Sequence, residues 1–150
     1  MKFICVVLVF FIMTISSCNR APTKNRNQIC FPGHCLDVEI ATTEADRMRG
    51  LQFRASLGEN QGMLFVFGYE DQHAFWMKDT LIPLDIIWLD YSKRVVHIEE
   101  NVPPCKLALC PSYRPAGNAL YVVEVNAGFV KKIGLVRGDS AEFRLENLQN

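Results

Sequence analysis

The side chains with chemical potential cluster between residues 75 and 124. The run Phe75-Trp76-Met77-Lys78-Asp79-Thr80 sets a tryptophan two positions from a lysine, and Asp85 follows after Ile82-Pro83-Leu84. On an extended segment Trp76 and Lys78 share one face, while Phe75 and Met77 point the other way. A lysine inside so apolar a run needs a partner, because burying an unpaired charge is costly. Asp79, Asp85 and Glu124 are the candidate partners. Together with Trp76 and Lys78 they would form a polar pocket with an aromatic wall, able to stack on a sugar ring or hold a cation. Tyr113, in a long loop, is a further candidate for the lining. The plainer alternative is a structural ion pair with Trp76 as core filler.

Catalytic signatures are sparse. The chain has no G-x-S-x-G turn, no H-E-x-x-H and no phosphate loop. His34, His73 and His97 are far apart and suit turn or strand positions. A Lys–Asp–Glu set could support acid–base work if burial lowered the lysine pKa. Asp71, His73 and Asp79 are a conceivable metal set, but nothing in their spacing calls for one. No metal and no cofactor are expected.

The elements that must position these residues read as strands. Leu36–Ala41 alternates apolar and acidic residues; Gly62–Phe67 is almost continuously apolar; His73–Lys78, Leu84–Leu89, Arg94–Ile98, Leu120–Val125 and Ala141–Leu145 follow. Thr43 offers an N-cap for a short helix over Glu44–Arg49, stopped by Gly50, and Asn126 offers one for Ala127–Ile133, ended by Gly134. A long loop covers 101–118. Short, closely spaced strands with two short helices predict one mainly β domain, an antiparallel sandwich or barrel, over residues 30–150.

The start is of a different kind. Met1-Lys2, the apolar run Phe3–Ile15 and Ser16-Ser17 make a basic, apolar and small-residue leader too short to span a bilayer as a helix. Ile15-Ser16-Ser17-Cys18 resembles the lipobox of bacterial lipoproteins. That resemblance implies a signal peptide over 1–17, cleavage before Cys18, and a lipid on Cys18 that anchors the chain to a membrane, facing the periplasm or the cell surface. Asn19 after the cysteine favours the outer membrane if the cell has one. Residues 18–29 carry Arg20, Lys24 and Arg26 with no acid and read as a flexible tether.

Cys5 leaves with the leader, which leaves Cys30, Cys35, Cys105 and Cys110 beside the lipidated Cys18. An even count in an oxidising compartment points to disulfides. Of three connectivities the local ones, Cys30–Cys35 and Cys105–Cys110, are favoured: Pro32-Gly33 is a strong turn signal that sets the first pair face to face. Lysines and arginines equal aspartates and glutamates at 16 each, so no basic face for nucleic acid is expected.

Several blocks carry a name. Gly50-Leu51-Gln52-Phe53-Arg54, Gly62–Phe67, Phe75–Thr80 with Ile82-Pro83-Leu84-Asp85, Pro104-Cys105, Cys110-Pro111-Ser112-Tyr113, Tyr121–Val125, Ala127-Gly128 and Gly138-Asp139 occur in this order. Together they resemble the uncharacterised domain-of-unknown-function family 192 of bacteria and archaea. The match runs from about Leu36 to Leu145. The resemblance implies an all-β sandwich-like fold and frequent export, and no activity. Asp79 departs from it, since the family commonly has Asn after the lysine. The expectation is therefore an envelope lipoprotein whose domain binds a small molecule, a glycan or a partner protein, at Trp76, Lys78, Asp79, Asp85, Tyr113 and Glu124. The alternatives are an envelope hydrolase using carboxylates near Lys78 and a structural or assembly lipoprotein.

Overall fold

The computed structural model describes residues 27–146; the leader, Cys18 and most of the tether lie outside the described residues. The elements run β1 (Gln28–Phe31), β2 (His34–Ala41), α1 (Glu44–Arg49), β3 (Gln61–Asp71), β4 (Phe75–Trp76), β5 (Leu84–Leu89), β6 (Val95–Val102), β7 (Ser112–Tyr113), β8 (Ala119–Asn126), α2 (Phe129–Ile133) and β9 (Glu142–Arg144). Seven strands form one sheet in the order β6-β5-β8-β3-β2-β1-β9, and β4 pairs with β7 in a second, small sheet. Pairing in the large sheet is antiparallel except between β2 and β3, which run parallel. A parallel neighbour requires a crossover, and α1 lies in it.

The large sheet curls until its edges meet at one end. The Val95 amide donates to the Asp139 carbonyl at 2.8 Å, the Gly138 amide donates to the Val95 carbonyl at 2.8 Å, and the Ala141 amide donates to the Lys93 carbonyl at 2.9 Å. The start of β6 is thereby joined to the segment leading into β9, which removes part of each free edge. The expected mainly β, barrel-like domain with two short helices is the fold observed.

Apolar cores cover both faces of this sheet. One draws on Ile29, Leu36, Leu64, Ile87, Val123 and Val95, strands from both ends of the sheet, so it fills the inside of the curl. The other packs Phe65, Ile86, Trp88 and Val122 beneath Leu51, Phe75, Met77 and Cys105. Strand β5 is consequently buried at every position and loses the wet-and-dry alternation of a half-buried strand. Both cores, with the side chains packed on them, are built from residues 29–145, so the chain from Asn19 onward contains what holds the fold together.

Three expectations need correction. Strand β1 begins at Gln28 and Ile29 is fully buried, so the ordered domain starts before Cys30. The strand expected over His73–Lys78 shortens to Phe75–Trp76 because the backbone turns: the Met77 carbonyl accepts from the Thr80 amide at 3.1 Å, and Asp79 is left-handed at φ 56°. Asn126 does not cap α2; its amide donates to the Leu57 and Gly58 carbonyls. Thr43 does cap α1, accepting from the Asp46 amide at 3.1 Å. Both local disulfides are present, and Cys30 faces Cys35 across the two-residue turn of the β1–β2 hairpin.

Strand β3 requires a glycine where it passes β8. A Cβ on Gly62 would sit 2.8 Å from the Glu124 carbonyl oxygen and 3.1 Å from Val125 Cγ1. Gly62→Ala is expected to cost about 1–3 kcal/mol through this overpacking, read as a lower denaturant midpoint at an unchanged slope. A wild-type midpoint would contradict so close an approach.

Candidate functional site

Adjacent residues of β8 face opposite cores. Val123 and Val125 enter the curl, and Val122 and Glu124 point to the other face. Glu124 is 4% exposed. Its carboxyl makes no hydrogen bond or ion pair among the described residues, and it forms the floor of a narrow cleft. Burial pushes this carboxyl up to about 8, so at neutral pH it is mostly protonated and presents an O–H donor.

The segment after α1 closes one side of the cleft, and a glycine lets it do so. Gly50 ends α1 at φ 47°, and a Cβ there would lie 3.3 Å from the Phe65 ring and 3.8 Å from Glu124 Oε2. Phe65, Phe75, Trp76, Lys78 and Thr80 complete the walls, with Arg47 and Arg49 from α1. The cleft encloses about 20 Å³, which is room for a single water or one polar atom of a ligand. It adjoins a broader groove of about 400 Å³ that shares Arg47, Met48, Phe75 and Trp76 and extends over Phe67, Ala74 and Ser112.

Charge around the mouth is uneven. The Arg47 guanidinium donates to the carbonyls of Thr42 and Val66 and lies over the Phe67 ring, 5.1 Å from its centroid. Arg49 pairs with Asp46 at 3.1 Å. Lys78 makes no ion pair among the described residues, so the structural ion pair that its sequence context allows is not formed with Asp79, Asp85 or Glu124. Trp76 is 44% exposed and is a wall of both cavities rather than core filler; the buried tryptophan is Trp88, whose indole N–H donates to the His73 carbonyl at 2.9 Å.

Of the residues singled out from the sequence, the structure thus brings together Trp76, Lys78 and Glu124. Asp85 lies on the other face of the sheet. It is fully buried, and its carboxylate accepts from the backbone amides of Asn101 at 2.8 Å, Gly128 at 3.2 Å and Val130 at 2.9 Å. It ties the end of β6 and the start of α2 to the centre of the sheet and takes the capping role expected of Asn126. Asp79 holds the turn by its backbone, donating to the Cys105 carbonyl at 2.9 Å and accepting from the Phe53 amide at 2.8 Å. Asp and Asn tolerate the left-handed conformation best after glycine, which accounts for Asp at a position where the family resemblance leads one to expect Asn. Tyr113 pairs with Phe75 and lines a separate groove of about 490 Å³ with Met77, Pro104, Cys105 and Pro111. Arg47, Met48, Gly50 and Phe67 join the site without having been singled out. Gly50 was legible as a helix stop, but nothing local in the sequence sets residue 50 against residue 124.

A curled β domain with a carboxyl-floored cleft beside α1 is therefore the class of structure to which the chain conforms. Residues 27–143 match the model of the family DUF192, described as "Uncharacterized ACR", and the chain belongs to that family. A UPF0127 protein of Thermococcus gammatolerans is 31% identical over 107 residues, spanning 68% of this chain and 63% of the relative; the chain thus matches less than two-thirds of that relative's length. Among solved structures, a protein of unknown function from Novosphingobium aromaticivorans superposes with a TM-score of 0.70 at 34% identity, covering 78% of this chain and 83% of that one. A Sinorhizobium meliloti protein, provisionally described as a transcription regulator, gives 0.69 at 32% identity, covering 79% and 92%.

The buried acid has a consequence for stability. The native state keeps the Glu124 proton up to about pH 8, whereas the ordinary value is 4.5. Between those values the native state binds more protons than the unfolded chain, so this group makes stability fall as pH rises from about 4.5 to about 8, with no further loss above. Glu124→Gln is expected to flatten that slope and to gain on the order of 3 kcal/mol at pH 7, measured by urea unfolding across the pH range. Parallel profiles for the two proteins would contradict the assignment.

Proposed function

We propose that this protein is exported, is anchored to a membrane through a lipid on Cys18, and binds a small organic acid in the cleft above Glu124. Export and anchoring rest on the leader and on Ile15-Ser16-Ser17-Cys18. Binding rests on one observation: the Glu124 carboxyl is buried and has no hydrogen-bond or ion-pair partner among the described residues, yet opens into a cleft walled by Trp76 and Lys78. The carboxyl oxygens keep some access to the cleft, and the destabilising burial of the acid is the kind of cost tolerated where a ligand binds.

The ligand's chemistry follows from the lining. Lys78 supplies a cation without a carboxylate partner among the described residues, and the protonated Glu124 supplies an O–H donor, so the matching group is an oxyanion such as a carboxylate. Trp76, Met48, Phe67 and Phe75 offer the adjoining groove an apolar and aromatic wall suited to a planar or aliphatic body. A hydrolase built on two carboxylates near Lys78 finds less support, because Asp85 faces away with its oxygens committed to backbone amides.

Titrating the chain from Asn19 with phenylacetate and short aliphatic carboxylates, and with their neutral amides, tests this through Trp76 fluorescence. Carboxylates are expected to bind at pH 6–7 more tightly than the amides by about tenfold or more, as befits a charge-assisted contact. Binding should weaken above about pH 8, as Glu124 ionises, and Lys78→Met should abolish the preference. Equal binding of acids and amides, or none of either, would contradict the reading.

A further inference from the structure

The loop closed by Cys105 and Cys110 exposes apolar side chains that the cleft does not use. Leu107 is 67% exposed and Leu109 is 88% exposed, although both sit in a six-residue segment whose ends are joined by a disulfide. The loop is further anchored at its base: the Cys105 amide donates to the Met77 carbonyl at 3.1 Å, and its carbonyl accepts from the Asp79 amide. Pro103, Pro104 and Pro111 flank it and restrict its backbone. Both leucines are thus exposed on a braced loop, Leu107 at the rim of the groove it shares with Met77 and Tyr113 and Leu109 more fully in solvent.

Along the chain, the charges flanking these leucines have one sign. Residues 101–123 contain Lys106 and Arg114 and no aspartate or glutamate, and both cations are exposed. Asp79 approaches the loop by its backbone, at the base rather than beside the leucines in sequence. An exposed apolar pair flanked by cations, without acids, matches the boundary of an anionic bilayer, where apolar side chains enter the acyl region and cations meet phosphate groups.

We propose that the loop 105–110 is a membrane-contact element: Leu107 and Leu109 insert into the interface of an anionic lipid surface while Lys106 and Arg114 pair with its phosphates. Contact through this loop is independent of any lipid on Cys18. It would fix the orientation of the domain on the surface, a constraint that a tether alone does not impose.

The test uses residues 19–150, without lipid, sedimented with vesicles of phosphatidylcholine mixed with phosphatidylglycerol and with vesicles of phosphatidylcholine alone. Binding is expected to the mixed vesicles and to weaken with salt. Replacing both leucines, Leu107→Ser with Leu109→Ser, should reduce it by about tenfold or more, and Lys106→Gln and Arg114→Gln by about fivefold each. Leu109→Trp should shift its emission to the blue on the mixed vesicles, which reports insertion directly and does not depend on the serine variants. No binding, or binding that survives loss of both leucines and so rests on Arg20, Lys24 and Arg26, would overturn the proposal. So would self-association in sedimentation equilibrium that the leucine substitutions abolish, which would assign the patch to a second copy of the chain.

Discussion

Covering both faces of one curled sheet is the constraint from which the rest follows. Strand β5 and the centre of β8 have no wet side, so a carboxyl on either strand must be satisfied internally or remain neutral. Two carboxyls stand there in neighbouring register: Asp85 opposite Val125, and Ile86 opposite Glu124. They point to opposite faces and meet the constraint differently. Asp85 is surrounded by three backbone amides and works as a structural clamp on two connections. Glu124 has no such partners among the described residues, and burial drives it to the protonated form.

The site's geometry depends on that contrast. A carboxyl satisfied like Asp85 has nothing left for a ligand, whereas Glu124 sits at the bottom of an opening that the crossover through α1 creates. The parallel pairing of β2 with β3 forces the chain to cross over. That brings Gly50, Arg47 and Met48 over the second core, and the left-handed glycine lets the backbone approach the acid without a side chain intervening. The turn at Asp79 acts from the other side, ending β4 so that Trp76 and Lys78 form a wall rather than a continuous strand. The disulfide at Cys105–Cys110 lies next to this turn and stiffens the loop bonded to it.

Much of the fold was legible in the sequence because its signals are local. Thr43 and Gly50 bracket α1, Pro32-Gly33 sets the first hairpin, and Leu84–Leu89 reads as a strand, although its burial on both faces emerges only from the fold. The pairing of the cysteines followed from a turn between the first two and short spacing between both. The site was legible in part: the alternation that puts Trp76 and Lys78 on one face survives in the structure. Which carboxyl joins them depends on the face each occupies after β5 and β8 pair, and that is a long-range matter of register. Asp85 is nearer to Lys78 in sequence and lies on the wrong side; Glu124 is more distant and lies on the right one. Asn126 likewise has the residue type of a helix cap, but the Asp85 carboxylate, brought in by tertiary packing, serves α2 instead.

Glu124 is a neutral acid at physiological pH with no hydrogen-bond partner among the described residues, and the most direct test observes that group. Selective 13C labelling of glutamate side chains, with Glu124→Gln to assign the resonance, gives its titration in the folded protein by NMR. The account predicts a midpoint near 8, moving on saturation with a carboxylate ligand. A midpoint at the ordinary 4.5 would mean that Glu124 is ionised and solvated at neutral pH, and the binding site as described here would not exist.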